Sequence, residues 1–448
     1  MKRSMCLAAL CALVLTACHK DDMPPVAASG KFTVTIENVS PQKSFLSSGV
    51  FNTPVGAAAP GAIKPGDKYE FMVTSGRNQR LSFATMLAAT NDIFFAPDEK
   101  GIALYDNSGK PLTGEITDQV YLWDAGTEVN EEPAVGPNTV TKQAGPNTGP
   151  AENGSVRKLS MVSDGFTYPQ VAEVIKVNVA YVSGQQFKIT IENVSTSSTL
   201  QTSEGPKPAP ASPGVWVIHS GMSPLFTPGM PDRGQGIEAI AEDGNPAGLG
   251  TYTSANSGLT YPISPGAWAV HKTGDKPIFT NNMEDYGEGV EAIAEDGDNA
   301  ALNASLALKT MLVEKGMLSI PVDSTKAGPL HPGEKYQFTF TASDGDRLSF
   351  VNMLAATNDV FIGPADEGIM LFSSGKPVTG DVSSQIQFWD AGTEINEAPF
   401  YGPNTVTNQP AKNTGPAENG VVKLLSLAND GYTYPAVSNV IKVTIENK

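Results

Sequence analysis

The sequence predicts an all-β protein made of two antiparallel β-sandwich domains in tandem. Apolar residues make up 40% of the chain and charged residues only 17%, while Gly (44) and Pro (34) are plentiful, which favours many short strands joined by ordered loops. Short runs of residues alternate between apolar and polar side chains. A set of motifs also occurs twice along the 448 residues, which indicates that one kind of domain is present twice.

The alternating runs predict the strands. In 31–40, Phe32, Val34 and Ile36 alternate with polar residues, and the same pattern returns in 187–195 at Phe187, Ile189 and Ile191. Such alternation places one face of a strand on a core and the other in water. Residues 69–73 and 336–340 repeat the pattern after a Pro-Gly turn, and 441–445 has the same character as the opening run. We therefore expect the opening and final strands to lie close together in one sheet.

Four motifs define the internal repeat. They are R-L-S-F-x-x-M-L-A-A-T-N-D at 80–92 and 347–359, W-D-A-G-T-E at 123–128 and 389–394, G-P-N-T-V at 136–140 and 402–406, and N-T-G-P-A-E-N-G at 147–154 and 413–420. Together with the similar openings, they predict an abridged first domain at 31–182 and a full second domain at 185–448.

The second predicted domain carries an insertion at 213–302 that is itself doubled. A P-G-x-W-x-x-H run at 213–219 leads to E-A-I-A-E-D-G, and both are echoed from 265 onward. Short helices are predicted only in this insertion, at 237–241 and from 298 to about 310, where Asp298 would cap the first turn.

The first 18 residues have the pattern of an export signal, with Lys2 and Arg3 before an apolar stretch. The ending L-T-A-C resembles the lipobox of bacterial lipoproteins, which implies that Cys18 becomes the acylated first residue of the mature chain. Residues 19–30 are polar and rich in Pro and Ala, which is typical of a flexible tether. His19, and not an aspartate, follows the cysteine. By resemblance to lipoprotein sorting in diderm bacteria, this implies a lipid-anchored location in the bacterial cell envelope, at the outer membrane. The alternative is an ordinary signal peptide with an incidental cysteine.

The formal charge of −17 argues against nucleic acid and anionic membrane surfaces as partners, because both would repel the chain. No later segment has the roughly 18 consecutive apolar residues that a membrane-spanning helix needs. We therefore expect membrane contact through the lipid alone, and an extracellular or periplasmic protein or glycan as the partner.

Each copy of the repeat places an aspartate after an apolar run and a D-x-x-x-E pair in a Gly-containing turn. These residues are Asp92, Asp124 and Glu128 in the first copy and Asp359, Asp390 and Glu394 in the second. Calcium takes six to eight oxygen ligands, and Gly126 or Gly392 would let the turn bend so that both acids face one point. The alternative is that these acids cap turns and lie in solvent.

The same residues carry a family resemblance. M-L-A-A-T-N-D, W-D-A-G-T-E and G-P-N resemble the spondin N-terminal domain, known from F-spondin and from bacterial lipoproteins, and the A-E-D-G segments extend the pattern over nearly all of 185–448. The resemblance implies a β-sandwich related to calcium-dependent membrane-binding modules. It also implies one calcium ion on Asp359, Asp390 and Glu394 and, by internal repetition, on Asp92, Asp124 and Glu128. Glu394 departs from the family pattern, because animal members of the family have Asp at this position.

Two other sets of residues have weaker signals. His219 and His271 occupy equivalent places after Trp-x-x and are predicted at the core edge of a strand, with a metal role as the alternative. The pairs Glu242-Asp243 and Glu295-Asp296 are predicted in solvated turns, with a second cation site as the alternative.

The chain contains no nucleophile elbow, phosphate loop, zinc cluster or dinucleotide fingerprint. The sequence thus predicts a non-catalytic, calcium-binding, lipid-anchored envelope protein with an adhesion or ligand-binding role. Two alternatives stay open. One is a carboxylate-dependent glycoside hydrolase that uses Asp390 and Glu394, or one of them with Asp359, and the other is a purely structural envelope protein.

Overall fold

The computed structural model describes residues 28–448. The predicted signal peptide, the lipidation site Cys18 and the tether up to residue 27 lie outside the described residues. Among the described residues, no helix combines the length and the apolar character needed to cross a bilayer.

Strands dominate the described part of the chain, as the all-β prediction requires. In chain order they are β1 (Ser29–Asn38), β2 (Ser47–Phe51), β3 (Lys68–Thr74), β4 (Arg80–Leu87), β5 (Ile93–Pro97), β6 (Ile102–Ala103), β7 (Gly114–Glu115), β8 (Val120–Asp124), β9 (Arg157–Lys158), β10 (Ile175–Ser183), β11 (Gln186–Asn193), β12 (Ala211–His219), β13 (Ile263–Lys272), β14 (Glu314–Leu318), β15 (Lys335–Ser343), β16 (Asp346–Leu354), β17 (Val360–Pro364), β18 (Ile369–Met370), β19 (Phe372–Ser373), β20 (Lys376–Pro377), β21 (Gly380–Asp381), β22 (Ile386–Asp390), β23 (Lys423–Leu424) and β24 (Ile441–Asn447).

The helices are short. They are α1 (Val171–Val174), α2 (Ile237–Asp243), α3 (Ala247–Ala255), α4 (Val290–Asp296) and α5 (Ala300–Leu308), with 3₁₀ turns at Thr117–Gln119, Leu159–Met161, Ser383–Gln385, Leu425–Leu427 and Val437–Asn439.

Apart from the two-stranded sheet β19-β20, the described strands form two similar pairs of antiparallel sheets. In the first sandwich, a sheet of order β3-β11-β10-β7 faces a larger sheet of order β2-β12-β4-β5-β8-β9, with β6 beside β4. In the second sandwich, β15-β1-β24-β21 faces β14-β13-β16-β17-β22-β23, with β18 beside β16. The all-β, antiparallel prediction is confirmed.

Each sandwich has its own apolar core between the two sheets. The first core includes Phe83, Phe95, Val177 and Ile189, and the second includes Phe32, Phe350, Ile362 and Val443, all without exposed surface. Full burial of one such side chain contributes roughly 1.5–3 kcal/mol relative to exposure. Phe32, Ile189 and Val443 belong to the predicted alternating runs, whereas Phe83, Phe95, Phe350 and Ile362 lie on strands that are buried along nearly their whole length and were not predicted by alternation.

The strand pairing departs from the predicted division at 182–185, which is therefore corrected. Strand β1 lies between β15 and β24 in the second sandwich, whereas β11 lies between β3 and β10 in the first. The stretch from β2 to α3 thus forms the first sandwich and is inserted between β1 and β13 of the second. The reason is local, because Ser183 pairs with Gln186 and the short hairpin keeps β11 beside β10.

The predicted doubled insertion at 213–302 is also corrected. Its first half supplies β12, which pairs with β2 and β4, and its second half supplies β13, which pairs with β14 and β16. Helices α2 and α3 cover the outer face of the first larger sheet, and α4 and α5 cover that of the second. Each sandwich therefore has one copy of this block, and the first is not abridged.

The helix predictions are confirmed in part. The helix predicted at 237–241 is α2, and the one predicted from residue 298 is α5, which begins two residues later. Asp298 accepts a hydrogen bond of 3.0 Å from the Ala300 amide. Helices α1, α3 and α4 were not predicted, although α4 repeats the I-A-E-D sequence of α2. Because α1 lies before residue 213, the prediction that helices occur only in the insertion is wrong.

The opening and final strands lie side by side, as predicted, since β1 and β24 pair from Phe32 with Asn447 to Asn38 with Ile441.

Candidate metal centre

Strand register brings the first two predicted acids together in each sandwich. Ile93 of β5 is the cross-strand partner of Asp124 on β8, so Asp92, the residue before Ile93, lies beside Asp124. The Ala125 amide donates a 3.0 Å hydrogen bond to the Asp92 carbonyl and closes this end of the ladder. Asp359 and Asp390 meet in the same way through β17 and β22. All four aspartates are fully buried.

The D-A-G-T turn folds back over these two carboxylates. Gly126 has φ of 70°, in the left-handed region where glycine lacks the Cβ penalty, and its amide donates a 2.7 Å hydrogen bond to Asp124. The next residue, Thr127, donates from its amide and its hydroxyl to Asp92, at 3.0 and 2.7 Å. The turn at Gly392, with φ of 71°, makes the same bonds in the second sandwich.

The third predicted acid is held by a separate set of donors. The Gly149 amide donates to Oε1 of Glu128 at 2.6 Å, and the Asn91 side chain donates to Oε2 at 3.1 Å. A Cβ on Gly149 would lie 2.1 Å from Glu128 Oε2, so only glycine fits. Glu394 has the same environment, with Gly415 and Asn358 in these places.

The N-T-G-P-A-E-N-G motif contributes an acid that the sequence argument missed. Its segment runs along the D-A-G-T-E turn, and the Glu152 amide donates to the Thr127 carbonyl at 2.8 Å. Carboxylate oxygens of Asp92, Asp124 and Glu152 lie within 4.8 Å of one another, as do those of Asp359, Asp390 and Glu418. The signal was present, since this glutamate stands at the same place in both copies of the motif.

We call Asp92, Asp124, Glu128 and Glu152 the first acidic cluster, and Asp359, Asp390, Glu394 and Glu418 the second. Of the six predicted acids, the four aspartates belong to groups whose carboxylate oxygens lie within 4.8 Å of one another, whereas Glu128 and Glu394 are outside these groups. The tightest grouping in each cluster contains the unpredicted glutamate, Glu152 or Glu418, in place of Glu128 or Glu394.

A basic side chain borders each cluster. The Arg157 guanidinium donates to Asp124 at 3.0 Å and to Glu152 at 2.6 Å. Lys423 lies 3.4 Å from Asp390 and 2.8 Å from Glu418. These pairs supply one positive charge to each group, so two negative charges would be left over if all three carboxylates were ionised.

The helical block adds a further acid behind each cluster. Glu242 of α2 and Glu295 of α4 are 1% and 2% exposed, so their predicted placement in solvated turns is wrong. The Thr393 hydroxyl bonds to both Glu295 and Asp359, at 2.7 Å each. One oxygen of each glutamate, Oε2, has no hydrogen-bond partner among the described residues. These glutamates are buried because the same helices cover the sheet with Ile240 and Ile293.

Burial disfavours the charged form of these acids. It raises the pKa of Asp92 and Asp359 well above the ordinary range, and the neighbouring aspartates Asp124 and Asp390 raise these two pKa values further. Burial also raises the pKa of Glu242 and of Glu295 to about 8. A cation placed among them would reverse this effect by stabilising the anions.

The donor set is made only of oxygen atoms, which suits a hard cation. Two ligand oxygens on one calcium ion, each at about 2.3–2.6 Å, can be at most about 5 Å apart, and the 4.8 Å spread fits this limit. Oδ1 of Asn130 and of Asn396 has no partner among the described residues, and each amide group donates to the cluster aspartate at 2.8 Å.

The two histidines lie apart from these clusters, at the ends of β12 and β13, as predicted. Nε2 of His219 is 2.9 Å from the Ser82 hydroxyl, and Nε2 of His271 is 2.9 Å from the Ser349 hydroxyl. Both rings are buried. Neither histidine belongs to a metal-ligand group among residues 28–448.

No protein-family model matches the sequence, and a search of curated proteins gave no match either.

Proposed function

We propose that this chain is a non-catalytic, calcium-binding module of the bacterial cell envelope, tethered by a lipid on Cys18, with an adhesion or ligand-binding role. The observation that carries the proposal is the acidic cluster, which occurs in the same form in both sandwiches. The resemblance to the spondin N-terminal domain is part of the proposal, because the cluster is formed by the motifs that carry it.

The ligand chemistry supports calcium. Each cluster has three carboxylates with oxygens within 4.8 Å of one another and a single basic neighbour. A buried carboxylate is costly unless it is paired, protonated or bound to a metal. A divalent cation would neutralise the two charges that Arg157 or Lys423 leaves over, and Asp92, Asp124 and Glu152 would hold it in the first cluster.

The burial of the acids supports a non-catalytic role. Asp359 and Asp390 have no exposed surface, so a polysaccharide cannot reach them without a rearrangement of the turn that covers them. A glycoside hydrolase instead needs its two carboxylates on either side of an accessible bond. Release of sugars from cell-wall or plant polysaccharides, lost in Asp390→Asn, would contradict this part of the proposal.

Thermal unfolding with calcium or with chelator tests the proposal. If calcium binds only the folded state, a concentration of about 100 times its dissociation constant stabilises the protein by roughly 2.7 kcal/mol per site. We expect Asp124→Asn and Asp390→Asn each to remove part of this gain, and the double variant to remove nearly all of it. Glu446→Gln, which changes an exposed acid by the same charge, should respond to calcium as the wild type does.

Magnesium provides a control for the ion. It demands near-octahedral geometry and keeps several waters, so it should stabilise the protein less than calcium does. Identical melting curves with calcium, magnesium and chelator would refute the calcium proposal. They would indicate that Arg157 and Lys423 alone balance the charge of the clusters.

A further inference from the structure

A turn of the first sandwich contacts the loop that follows Glu394 in the second sandwich. We call residues 75–79, between β3 and β4, the bracing turn, and residues 395–409 the site loop. Gln79 is 3% exposed and donates from Nε2 to the Phe400 carbonyl at 2.8 Å, while its Oε1 accepts from the Gly76 amide at 2.8 Å. Asn78 donates to the Thr407 carbonyl at 2.6 Å.

The two segments are in close backbone contact. A Cβ on Gly76 would lie 2.6 Å from Nδ2 of Asn408 and 3.0 Å from the Phe400 carbonyl oxygen, so only glycine permits this approach. Phe400 has φ of 68° and its counterpart Ala134 has φ of 62°, so this conformation belongs to the loop in both sandwiches. The Phe400 carbonyl accepts hydrogen bonds from both Gln79 and Asn408.

The site loop connects this contact to the second acidic cluster. The Glu397 amide donates to Oδ1 of Asn358 at 3.0 Å, and the Asn358 amide group donates to Glu394 at 3.1 Å. Farther along, the Val406 amide donates to the Thr357 carbonyl at 3.1 Å. Two hydrogen bonds thus join the site loop to Thr357 and Asn358, just before Asp359. A movement of the loop at Glu397 would therefore disturb Asn358 and, through it, Glu394.

The first acidic cluster has a different support. In the corresponding loop, 129–143, Glu132 accepts hydrogen bonds from the amide and hydroxyl of Ser203 within its own sandwich. The counterpart of the bracing turn is the turn between β15 and β16, where Asp344 donates its amide to Ala28 and Asp346 binds Lys272. In the described part of the chain, bracing by the opposite sandwich is therefore confined to the second cluster.

We propose that Gly76, Asn78 and Gln79 are positioning residues for the second acidic cluster, so that cation binding there depends on the first sandwich. The inference rests on the proposed calcium function. A loop held in the bound arrangement loses less conformational entropy when the cation binds, so the brace increases affinity. By reciprocity, a cation in the second cluster strengthens the contact between the bracing turn and the site loop.

Calorimetric titration of the full chain with calcium tests this proposal. Asp124→Asn leaves only the second cluster intact and Asp390→Asn leaves only the first, so each cluster can be measured separately. In the Asp124→Asn background, we expect Gln79→Ala and Gly76→Ala to weaken binding by roughly fivefold or more. In the Asp390→Asn background, the same substitutions should leave the affinity unchanged. Ser203→Ala is the matched control, since it removes the hydroxyl bond to Glu132 in the first loop and leaves the second loop untouched.

Amide hydrogen exchange provides a readout that does not need calcium. In chelator, Gln79→Ala should speed exchange in 395–409 and leave 129–143 unchanged. If Gln79→Ala does not fold, Asn78→Ala removes one exposed bond of the same contact and tests the same expectation.

The outcomes distinguish this inference from the calcium proposal. If the wild type binds no calcium, the calcium function fails, and so does this inference as a statement about binding. If the wild type binds but the variants keep the affinity of the second cluster and the exchange of 395–409, the positioning role is refuted. Equal losses at both clusters would also refute it, because they would indicate general destabilisation.

Discussion

The Arg157 guanidinium lies 3.0 Å from Oδ2 of Asp124, a carboxylate with no exposed surface. Lys423 takes the same place near Asp390, at 3.4 Å. The protein therefore supplies a positive charge at the edge of each acidic cluster.

Replacing Arg157 or Lys423 by Met removes that charge and keeps much of the side-chain volume. Loss of one partner leaves a buried carboxylate unpaired, which typically costs 3–5 kcal/mol. Arg157 and Lys423 are partly exposed, so we expect a smaller loss, about 1–3 kcal/mol, in urea unfolding with chelator. Calcium should restore most of this stability.

A matched control for this prediction is Lys188→Met, which breaks an exposed ion pair with Glu70 and should cost under about 1 kcal/mol. If calcium restores nothing in Arg157→Met, the guanidinium and not a metal ion is the counter-charge of the first cluster.

Gly149 and Gly415 allow a second prediction, because each lies against a cluster glutamate. A Cβ there would lie 2.1 or 2.0 Å from Oε2 of Glu128 or Glu394. Glycine to alanine should therefore displace the glutamate and lower the free energy of unfolding by about 1–3 kcal/mol, the usual cost of overpacking. Gly145→Ala in the same loop is the control, since nothing lies within 4 Å of the added Cβ. Equal stability of Gly149→Ala and Gly145→Ala would show that the loop yields freely.

The alternation of apolar residues predicted the core side chains of the smaller sheets, such as Phe32 and Ile189, but not which sandwich a strand joins. Strands β1 and β11 carry nearly the same pattern, F-T-V-T-I-E-N and F-K-I-T-I-E-N, and each fits between equivalent neighbours. Pairing is decided instead by the hairpin at Ser183 and by the long connection from β1 to β2. Alternation alone cannot predict strand pairing, because it specifies which face of a strand is buried and not which strand lies next to it.

The candidate site was partly predictable for a related reason. The internal repeat and the Gly-containing turn were enough to predict Asp92, Asp124 and Glu128, and their counterparts in the second copy, as candidate ligands. Glu152 was missed because it reaches the cluster through a segment without regular structure that runs along the turn. Glu242 was missed because a Glu-Asp-Gly sequence is typical of a turn. In the structure, α2 continues to Asp243 and the glutamate is buried.

His219 gives a pH prediction that is independent of the acidic clusters. Burial lowers its pKa from 6.5 to about 4, while the hydrogen bond with the Gly221 carbonyl acts in the opposite direction and nearby Arg80 lowers the pKa further. The folded protein therefore holds the ring neutral over a range in which the unfolded chain takes up a proton. The stability that the neutral His219 ring contributes is fully present above pH 6.5 and is lost as the pH falls toward 4.

We expect acidification from pH 7 to pH 4 to remove about 3 kcal/mol of the free energy of unfolding through His219 alone. His219→Gln cannot take up this proton. In urea unfolding, the difference in free energy of unfolding between wild type and variant should therefore shrink by about 3 kcal/mol from pH 7 to pH 4. His331→Gln, which changes an exposed histidine, should follow the wild-type profile. Parallel profiles for wild type and His219→Gln would mean that the folded protein protonates His219 as readily as the unfolded chain does. The bond to Ser82 would then be remade around a charged ring.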